Sequence, residues 1–521
     1  MNYDGAARHS NSSRRDAAGR ERNRGFGEKR QYSAAAPSQR KRSSDPARLT
    51  AFQVLRAVSG EDAYANLVLP RKIRENHLNK LDAGFATELT YGALREQGLY
   101  DAVLQTCVDR PLATLDAPVL DALRLGAHQL LSMRVPAHAA LDEMVSLVRS
   151  QVGTGPSGLV NAVLRKVSLK SREEWVEQLT ADISDDSQVM AITHSHPEWI
   201  VRAFRQSLVA HGRDVAELEE LLEADNDAPV VNLVALPGIG DLGEVYELGG
   251  RKGKFVPGSA YYEAGDVGRI NAVRAGTVRV QDAGSQAVAR ALAEVELPSG
   301  SSDSEWLDLC AGPGGKASLL AALAAQRDAF LTANEPQSHR ADLVEDALNA
   351  VPQDAWQVTE MDGRDYGQGQ TERLFDRIMV DAPCSGLGAL RRRPEARWRK
   401  TLADVAELTT LQSELLDSAL KAVRVGGVVA YVTCSPHPAE TVAIVEDAIK
   451  RNPQLRVLDT AAALNSVILT APVAPGHQYS SAAASASEWS GNSIQLWPHA
   501  NKTDAMFMTL LTIDEPTTSE D

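Results

Sequence analysis

Two of the four cysteines in the chain stand where a thiol could act as a reagent. Cys384 occurs in Asp-Ala-Pro-Cys-Ser-Gly-Leu-Gly (residues 381–388), and Cys434 occurs in Thr-Cys-Ser-Pro (residues 433–436). Each motif follows an apolar run typical of a buried strand and surrounds its cysteine with Pro, Ser and Gly. An ionised thiol in such a position can attack an electrophilic carbon. The thiols of Cys107 and Cys310 are instead interpreted as small buried hydrophobic groups.

A pyrimidine ring illustrates why two thiols would be useful together. C5 of cytosine is a poor nucleophile, but addition of a thiolate at C6 makes C5 enamine-like and able to take up a methyl group. The C5 proton must then leave and the C6–S bond must break, which a second acid–base group assists. The attacking thiol needs nearby donors or positive charge to ionise, and Lys316 is a candidate for this role. Spacing alone does not decide which cysteine attacks.

A glycine-rich turn lies between a predicted strand at residues 305–309 and a predicted helix at residues 317–325. Glycines at such a turn let backbone approach a ligand, and the helix N-terminus offers free N–H groups. Dinucleotide-binding folds use the same device, whereas a P-loop is excluded because GxxxxGK[ST] is not present. The residues of the turn are Cys310, Ala311, Gly312, Pro313, Gly314, Gly315 and Lys316.

Three acids follow the turn at the ends of successive predicted strands. Glu335 ends the second strand, Asp362 follows the third, and Asp381 ends the fourth. In a doubly wound sheet these ends lie on the same edge as the glycine turn, where ligands bind. Each acid alone could be a strand-end cap or part of a solvated turn. Together they favour a shared cofactor site, in which the acid of the second strand suits ribose hydroxyls.

The positions of these residues depend on alternating strands and helices in the C-terminal part of the chain. This alternation predicts a parallel sheet covered by helices, a Rossmann-like α/β domain over residues 281–515. The stretch at residues 470–493 is Ala/Ser-rich and aperiodic, which predicts a long loop. The predicted strands span residues 305–309, 329–334, 356–360, 377–380, 427–433 and 506–513.

The preceding part of the chain divides into three regions. Residues 1–46 are rich in Arg, Ser, Gly and Ala and predict a disordered basic tail. Helical apolar spacing then predicts an all-α domain over residues 47–170. Residues 183–280 predict a small α+β linking module. Its helices are expected from residue 196 and over 215–223, and its strands over 230–235, 254–256 and 278–281.

Charge is distributed unevenly over the 521 residues. Residues 1–48 carry twelve Lys or Arg against five acids, so their net charge is +7 and that of the remainder is −22. A basic tail on an acidic body suits contact with RNA through selected surfaces, although a solvated tail without a partner remains open. No apolar run could span a membrane and no metal site is expected from the cysteine spacing. Few, widely spaced cysteines favour a reducing cytoplasm.

The motifs around the turn and both cysteines together resemble the RsmB/Sun family of RNA 5-methylcytosine methyltransferases. The resemblance implies that Cys434 attacks the base and that Cys384 assists product release. It also implies that S-adenosylmethionine is the cofactor, held by residues 310–316, Glu335, Asp362 and Asp381, with Asp381 near the cytosine edge as well. Gly386-Leu-Gly388 departs from the more usual family sequence, and Glu335 stands where many members have Asp.

The N-terminal half resembles the RsmB branch of that family. Residues 159–166 are similar to a NusB-like RNA-binding domain, residues 196–200 and 280–286 to its linking region, and residues 496–499 and 503–507 to its closing strands. The resemblance implies ribosomal RNA of the small subunit as substrate, a monomer, and no DNA or membrane partner.

A cluster of arginines follows the Cys384 motif, and two other functions are compatible with part of the sequence. Residues 391–399 (Arg-Arg-Arg-Pro-Glu-Ala-Arg-Trp-Arg), the arginine segment, could hold RNA phosphates beside the active site or form a solvated arginine face. A dehydrogenase would explain the turn and acids but not the cysteines. A non-catalytic RNA-binding or assembly factor would explain the helical domain and tail, and would tolerate loss of Cys434.

Overall fold

The N-terminal part of the protein is a bundle of helices, as predicted. The computed structural model describes residues 44–298, 301–480 and 490–514, so the predicted tail lies outside the described residues up to residue 43. The helices of the bundle are α1 (Pro46–Gly60), α2 (Ala65–Glu75), α3 (Lys80–Arg95), α4 (Gln97–Cys107), α5 (Ala117–Leu131), α6 (Ala137–Gln151) and α7 (Ser157–Val167).

Helix α1 shows how the sequence dictates this bundle. Asp45 caps it by accepting hydrogen bonds from two backbone N–H groups, and Pro46 occupies the first helical position, where no N–H is needed. Val54, Leu55 and Val58 recur at helical spacing and are buried against neighbouring helices. Pro46 is therefore ordered, which corrects the C-terminal boundary predicted for the tail.

Six helices and a small antiparallel sheet form the linking region. The sheet has the strand order β2-β3-β1-β4. The helices are α8 (Arg172–Thr180), α9 (Asp186–Thr193), α10 (Glu198–Ala210) and α11 (Leu218–Asn226), followed by β1 (Val231–Ala235), α12 (Gly243–Glu247), β2 (Arg251–Lys252), β3 (Ser259–Tyr262), α13 (Asn271–Arg274) and β4 (Val278–Val280).

Two predictions for this region are wrong in detail. Residues 254–256 form no strand, because Phe255 and Val256 pack into the large apolar core of the C-terminal region instead of pairing in the small sheet. The predicted helix over residues 215–223 begins as a 3-10 turn (Val215–Glu217) that leads into α11.

The C-terminal region is built on an eight-stranded sheet. Its elements are α14 (Ala283–Glu294), β5 (Glu305–Asp308), α15 (Gly315–Ala325), β6 (Phe330–Asn334), α16 (Ser338–Leu348), β7 (Trp356–Thr359), β8 (Phe375–Asp381), α17 (Ala396–Arg399), α18 (Leu402–Ala422), β9 (Val423–Thr433), α19 (Val442–Arg451), β10 (Leu455–Val457), α20 (Thr460–Asn465), β11 (Gln478–Ser480), β12 (Ser490–Asn492), β13 (Ile494–Gln495), α21 (Pro498–Asn501) and β14 (Phe507–Ile513).

The order of the strands decides where a ligand can bind. The sheet runs β10-β14-β9-β8-β5-β6-β7, with β13 paired to β14, and the strands from β9 to β7 are parallel. The chain winds outwards from β5 through β6 to β7, then returns to the other side of β5 with β8 and β9. The order therefore reverses between β5 and β8, and ligands of doubly wound sheets bind at the carboxyl ends beside such a reversal.

Helices cover both faces of this sheet. Apolar side chains of α14, α15 and α20 pack on one face, and those of α18 and α19 pack on the other. The central strands are accordingly continuous apolar runs, as for Val428 to Val432 in β9, which are all buried. The predicted α/β sheet is confirmed.

The predicted long loop at residues 470–493 is partly wrong. β11 and β12 pair as an antiparallel hairpin within it, while residues 481–489 lie outside the described part. In the ranges that the structure covers, no helix is both long enough and apolar enough to cross a membrane.

Candidate active site

The glycine turn connects the end of β5 to the start of α15. Gly314 has a φ angle of 95°, in the left-handed region that favours glycine. A β-carbon on Gly312 would lie 2.1 Å from Oε2 of Glu335, so a larger residue there would displace the Glu335 carboxylate. Gly315 begins α15, whose first backbone N–H groups have no carbonyl partner within the helix. The turn thus exposes bare backbone and amide donors to a ligand.

Glu335 stands directly against this turn. Its side chain is buried at the end of β6, and Oε2 lies 3.2 Å from the Arg340 guanidinium. Arg340 also donates to the carbonyl of Gly312 at 2.8 Å. The predicted proximity of the second-strand acid and the glycine turn is therefore present in the structure.

Lys316 and Asp381 form an ion pair across the reversal of the sheet. The Nζ–Oδ2 distance is 2.7 Å, and both side chains are largely shielded from solvent. Burial alone would lower the pKa of Lys316, but the charge of Asp381 and the hydrogen bond to it raise that pKa above its ordinary value. Lys316 is thus held in its charged form beside the fourth strand end.

Asp308, the last residue of β5, is a site residue that the sequence analysis missed. It is fully buried, and no hydrogen-bond partner meets either carboxylate oxygen among the described residues. Burial, with a smaller contribution from the charge of Asp381, raises its pKa to about 7. An acid at the end of a buried strand, immediately before a glycine turn, was the available signal.

Asp362 is less closely engaged with the others than predicted. It caps the turn after β7, and Arg364 of the same turn contacts its carboxylate at 2.6 Å. The hydrogen bonds from Arg364 lower the pKa of Asp362 to about 2. The segments that follow β5 and β7 are instead connected by Asn334, another missed residue. Its buried side-chain amide donates to the carbonyls of Leu309 and Met361.

The two cysteines meet at the ends of neighbouring parallel strands. Cys384 follows β8, Cys434 follows β9, and their sulfur atoms are 3.4 Å apart. The backbone joins the two loops as well, because Gly388 donates its N–H to the Cys434 carbonyl at 2.8 Å. A β-carbon on Gly388 would lie 2.1 Å from the Ala505 carbonyl oxygen, so this close approach requires glycine.

The surroundings of the two thiols are unequal. The hydrogen bond between the two thiols, in which either sulfur can donate, lowers the pKa of Cys434. The positive charges of Lys316 and Arg393 act in the same direction, against burial and the negative charge of Asp381. The same hydrogen bond, then burial, raise the pKa of Cys384 well above its ordinary value. These directions favour Cys434 as the thiolate of the pair. The charge of Lys316 acts in the predicted direction, and its part in the reaction stays a prediction.

The remaining cysteines differ from this pair. Cys107 is buried in the helical bundle. Cys310 is part of the glycine turn, and burial together with the charges of Asp308, Asp381 and Glu335 raises its pKa well above the ordinary value. Neither environment favours a thiolate.

Most of the arginine segment does not offer the phosphate-binding face that the sequence suggested. Arg391 and Arg392 pair with the buried acids Asp282 and Asp504, at N–O distances from 2.6 to 3.4 Å. These acids come from the start of α14 and from the segment before β14. The first two arginines therefore hold the catalytic region together internally.

The other end of the arginine segment joins the catalytic region to the helices. Arg397 is fully buried and donates to the carbonyls of Arg95, Ser195 and Asp225 at 2.8–3.2 Å. Arg399 donates to carbonyls in the last turn of α1 and in the loop that follows it. Solvent and RNA cannot reach the Arg397 guanidinium, because the side chain is fully buried and its two terminal nitrogens donate to groups inside the protein.

A third missed residue, Glu440, lies beneath the two cysteines. Its fully buried carboxylate accepts hydrogen bonds from Ser385 and Ser435, the residues that follow the two cysteines. Nothing in the sequence pattern between β9 and α19 distinguishes this acid from one on a solvated turn.

Acids outnumber bases around the glycine turn, which limits the ligands that suit it. Asp308, Asp381 and Glu335 gather there, and Lys316 and Arg340 are the bases that contact them. A buried acid without a hydrogen-bond partner favours a ligand that brings donors or positive charge. No group of three or more His, Cys, Asp or Glu within the described ranges is arranged to hold a metal ion.

Comparison with known proteins identifies the kind of protein to which this site belongs. The profile of the family described as "16S rRNA methyltransferase RsmB/F" matches residues 297–512, and that of the NusB family matches residues 45–169. A putative methyltransferase of Mycobacterium tuberculosis is 46% identical over 476 residues, which cover 91% of this chain and 97% of the relative.

Two further relatives agree with this result. The ribosomal RNA small subunit methyltransferase B of Pseudomonas putida is 30% identical over 429 residues, covering 80% of this chain and 91% of that protein. The crystal structure of PH0851 has the same fold, with a TM-score of 0.72 at 20% identity, covering 90% of this chain and 99% of that one. The chain therefore belongs to the RsmB/F family of ribosomal RNA methyltransferases, with a NusB-family domain at its N-terminal end.

Proposed function

We propose that this protein transfers a methyl group from S-adenosylmethionine to C5 of a cytosine in small-subunit ribosomal RNA. In this proposal Cys434 forms the covalent bond to the base, and Cys384 assists release. The observation that carries the proposal is the pair of thiols 3.4 Å apart, in which Cys434 has a lowered pKa and Cys384 a raised one.

The acidic surroundings of the glycine turn fit the proposed cofactor. S-adenosylmethionine carries a sulfonium and an ammonium group and, when bound, supplies the methyl group. Residues 310–316 would hold it through backbone N–H groups, Glu335 would accept hydrogen bonds from ribose hydroxyls, and Asp308 and Asp381 would face positive charge. Asp308 supports this fit, because its buried oxygens have no partner among the described residues. Asp362 would contribute at the third strand end.

The chemistry asked of the two cysteines is addition followed by elimination. Cys434 adds its thiolate to C6 of the cytosine, which makes C5 nucleophilic towards the methyl donor. After C5 has taken the methyl group, a base such as a solvent water accepts the C5 proton. The electrons of the C5–H bond restore the C5–C6 double bond, and the Cys434 sulfur leaves with the electrons of the C6–S bond. Cys384 stands close enough to the leaving sulfur to stabilise it by hydrogen bonding. Asp381, held by Lys316, is positioned to orient the cytosine edge.

The RNA substrate is inferred from the relatives. The P. putida relative is named for small-subunit ribosomal RNA, and the NusB-family match adds a second domain of a type that can bind RNA. We also infer that a single copy of the chain suffices, because the turn, the acids and both cysteines come from one chain.

The proposal is tested with labelled S-adenosylmethionine and small-subunit ribosomal RNA from cells lacking this activity. We expect label in 5-methylcytosine with the unaltered protein. Cys384→Ala should accumulate a covalent protein–RNA adduct that withstands denaturation, whereas Cys434→Ala should form none. Cys107→Ala, which alters a thiol buried in the helical bundle, serves as the matched control and should behave like the unaltered protein.

Two results would contradict this proposal in different ways. Tight RNA binding without any transfer of label would indicate a non-catalytic RNA-binding factor. Equal adduct formation by the two active-site variants would show that the assigned roles of Cys384 and Cys434 are wrong while leaving the methyl transfer itself intact.

A further inference from the structure

A single buried carboxylate connects the two loops that carry the cysteines. Oε1 of Glu440 accepts a hydrogen bond from the Ser385 backbone N–H at 2.7 Å, and Oε2 lies 2.5 Å from the Ser385 hydroxyl. Oε2 also accepts from the Ser435 hydroxyl at 2.6 Å. Ser385 follows Cys384 and Ser435 follows Cys434, so the same carboxylate fixes the residue next to each thiol.

We propose that Glu440 is a positioning residue that holds these two loops together and keeps Cys384 as the hydrogen-bond donor of the thiol pair. What the Cys434 thiolate then attacks rests on the function proposed above. Glu440 is not required to touch either substrate, and its effect reaches the reacting sulfur through Ser385 and Ser435.

Several groups around Glu440 support a positioning role. Gln412 of α18 donates one amide N–H to Glu440 Oε1 at 3.2 Å and also contacts the carbonyl of Pro383 at 2.8 Å. The Tyr431 hydroxyl donates to the Glu440 backbone carbonyl at 2.8 Å. Cys384 is thus flanked by two anchored neighbours, Pro383 and Ser385, which limits the positions that its sulfur can adopt.

The cost of burying a carboxylate indicates that this arrangement is specific. Glu440 is fully buried, and a buried carboxylate is tolerated only when donors compensate for the lost water. Here the compensating donors come from both cysteine loops and from Gln412. Moving either loop would therefore leave the carboxylate short of a partner.

Charged side chains act on both thiols. The negative charge of Glu440 contributes to the raised pKa of Cys384, after the larger effects of the Cys434 hydrogen bond and burial. At Cys434 the negative charge of Asp381 raises the pKa, and the positive charges of Lys316 and Arg393 lower it. An acid behind one thiol and two bases beside the other favour a proton on Cys384 and a negative charge on Cys434.

The test compares the ionisation of the two thiols in full-length protein without RNA or S-adenosylmethionine. The rate of alkylation by iodoacetamide is followed at each cysteine by peptide mass spectrometry from pH 5 to pH 10. In the unaltered protein Cys434 should react at lower pH than Cys384. Glu440→Gln should narrow the gap between the two profiles and lower the Cys434-to-Cys384 rate ratio at pH 7 by about tenfold, the equivalent of one pKa unit.

Glu446→Gln provides a matched control, because Glu446 lies on the neighbouring helix α19 and is partly exposed. Its profiles should match those of the unaltered protein. If Glu440→Gln does not fold, as judged by its thermal unfolding, Ser385→Ala takes its place, since it removes one hydroxyl contact and keeps the carboxylate. That variant should lower the same rate ratio by a smaller factor.

Unchanged alkylation profiles of the two cysteines in a folded Glu440→Gln protein would overturn the proposal. If Ser385→Ala has to be used instead, unchanged profiles in that variant would overturn it. The measurement is independent of methyl transfer. A failed methylation assay with unequal, Glu440-dependent thiols would refute the proposed function alone, and methylation with Glu440-independent thiols would refute this inference alone.

Discussion

Cys384 of the thiol pair and the whole arginine segment lie within sixteen residues of the chain, yet the pair and the segment use polar chemistry in opposite ways. Cys384 and Cys434 remain partly accessible, with their sulfur atoms next to each other at the sheet edge. Arg397, the last buried member of the arginine segment, donates hydrogen bonds to backbone carbonyls of the helical regions. The stretch after β8 therefore contributes Cys384 to the candidate active site. It then contributes Arg397 to the contact between the C-terminal region and the helices, which we call the joint.

The difference lies in what satisfies each polar group. A guanidinium has five N–H donors and is stable in the interior only when acceptors surround it. The ends of α3, α9 and α11 provide such acceptors to Arg397, because the last carbonyls of a helix lack partners within it. The thiols have no such set of strong partners, so their reactivity is preserved. Clusters of arginine can thus indicate a domain joint as well as a nucleic-acid surface.

The largest expected effect is on the free energy of unfolding, which should depend on Arg397 in the joint and not on Cys434 in the candidate active site. Arg397→Met leaves Asp225 buried without a compensating charge and removes several hydrogen bonds, so we expect a loss of about 3–5 kcal/mol in the free energy of unfolding. Cys434→Ser should change that free energy by less than about 1 kcal/mol while abolishing the alkylation at this position. Urea denaturation followed by fluorescence measures the first quantity.

Arg134→Met is the control for this comparison, because Arg134 is exposed in the loop before α6. We expect it to unfold like the unaltered protein. An Arg397→Met protein of unaltered stability would show that the charge and hydrogen bonds of Arg397 do not stabilise the fold. The joint and the candidate active site would then not differ in their contribution to the free energy of unfolding.

The second prediction concerns pH and Asp225, the acid beside the joint. Burial raises its pKa to about 7, against the opposing charge of Arg397. The folded chain therefore binds this proton more tightly than the unfolded chain between about pH 4 and pH 7, so the free energy of unfolding falls as the pH rises through that window. Asp225→Asn should flatten the decline between pH 5 and pH 8, by an amount on the order of 2 kcal/mol.

The exposed neighbour Asp227 provides the control, since Asp227→Asn should leave the slope unchanged. Asp308 also has a pKa near 7 and contributes a slope of the same sign, so some decline should persist in the Asp225 variant. Parallel stability curves for Asp225→Asn and the unaltered protein would mean that Asp225 is not protonated preferentially in the folded state.

The sequence allowed the reactive site to be predicted better than the joint. Cys384, Cys434 and Asp381 follow strands whose apolar runs are plain, and parallel strand ends meet on one edge by the geometry of the sheet. The partners of the arginine segment lie more than a hundred residues away, in the helices and at Asp504. No sequence periodicity relates such distant positions, so the burial of Arg391 and Arg397 could not be predicted. The phosphate-binding hypothesis rested on charge alone, and their burial contradicts it for these two residues.

The same argument applies within the site. Glu335 could be predicted because it ends a strand, whereas Glu440 is recognised only through Ser385 and Ser435, once the two loops are folded together. The wrongly predicted strand at residues 254–256 has a related cause. Its apolar side chains are taken up by a core that belongs to another part of the chain.

The smallest expected effect concerns Arg393, where the phosphate-binding hypothesis for the arginine segment still applies. Arg393 is exposed, forms no ion pair with any residue in the described ranges, and lies over the Tyr64 ring with 5.1 Å from its guanidinium carbon to the ring centroid. We expect Arg393→Gln to weaken RNA binding several-fold, about 1 kcal/mol, and to reduce the salt dependence by about one phosphate contact. RNA affinity measured at several salt concentrations checks this.

The control and the alternative outcome make this last prediction a test of the comparison itself. Arg251→Gln removes an equally exposed charge from the small sheet and should leave the RNA affinity unchanged. If Arg393→Gln instead lowers stability and leaves both affinity and salt dependence intact, Arg393 belongs to the joint with Arg397. If it weakens RNA binding alone, the boundary between joint and RNA contact lies inside the arginine segment, between a guanidinium enclosed by carbonyls and one open to solvent.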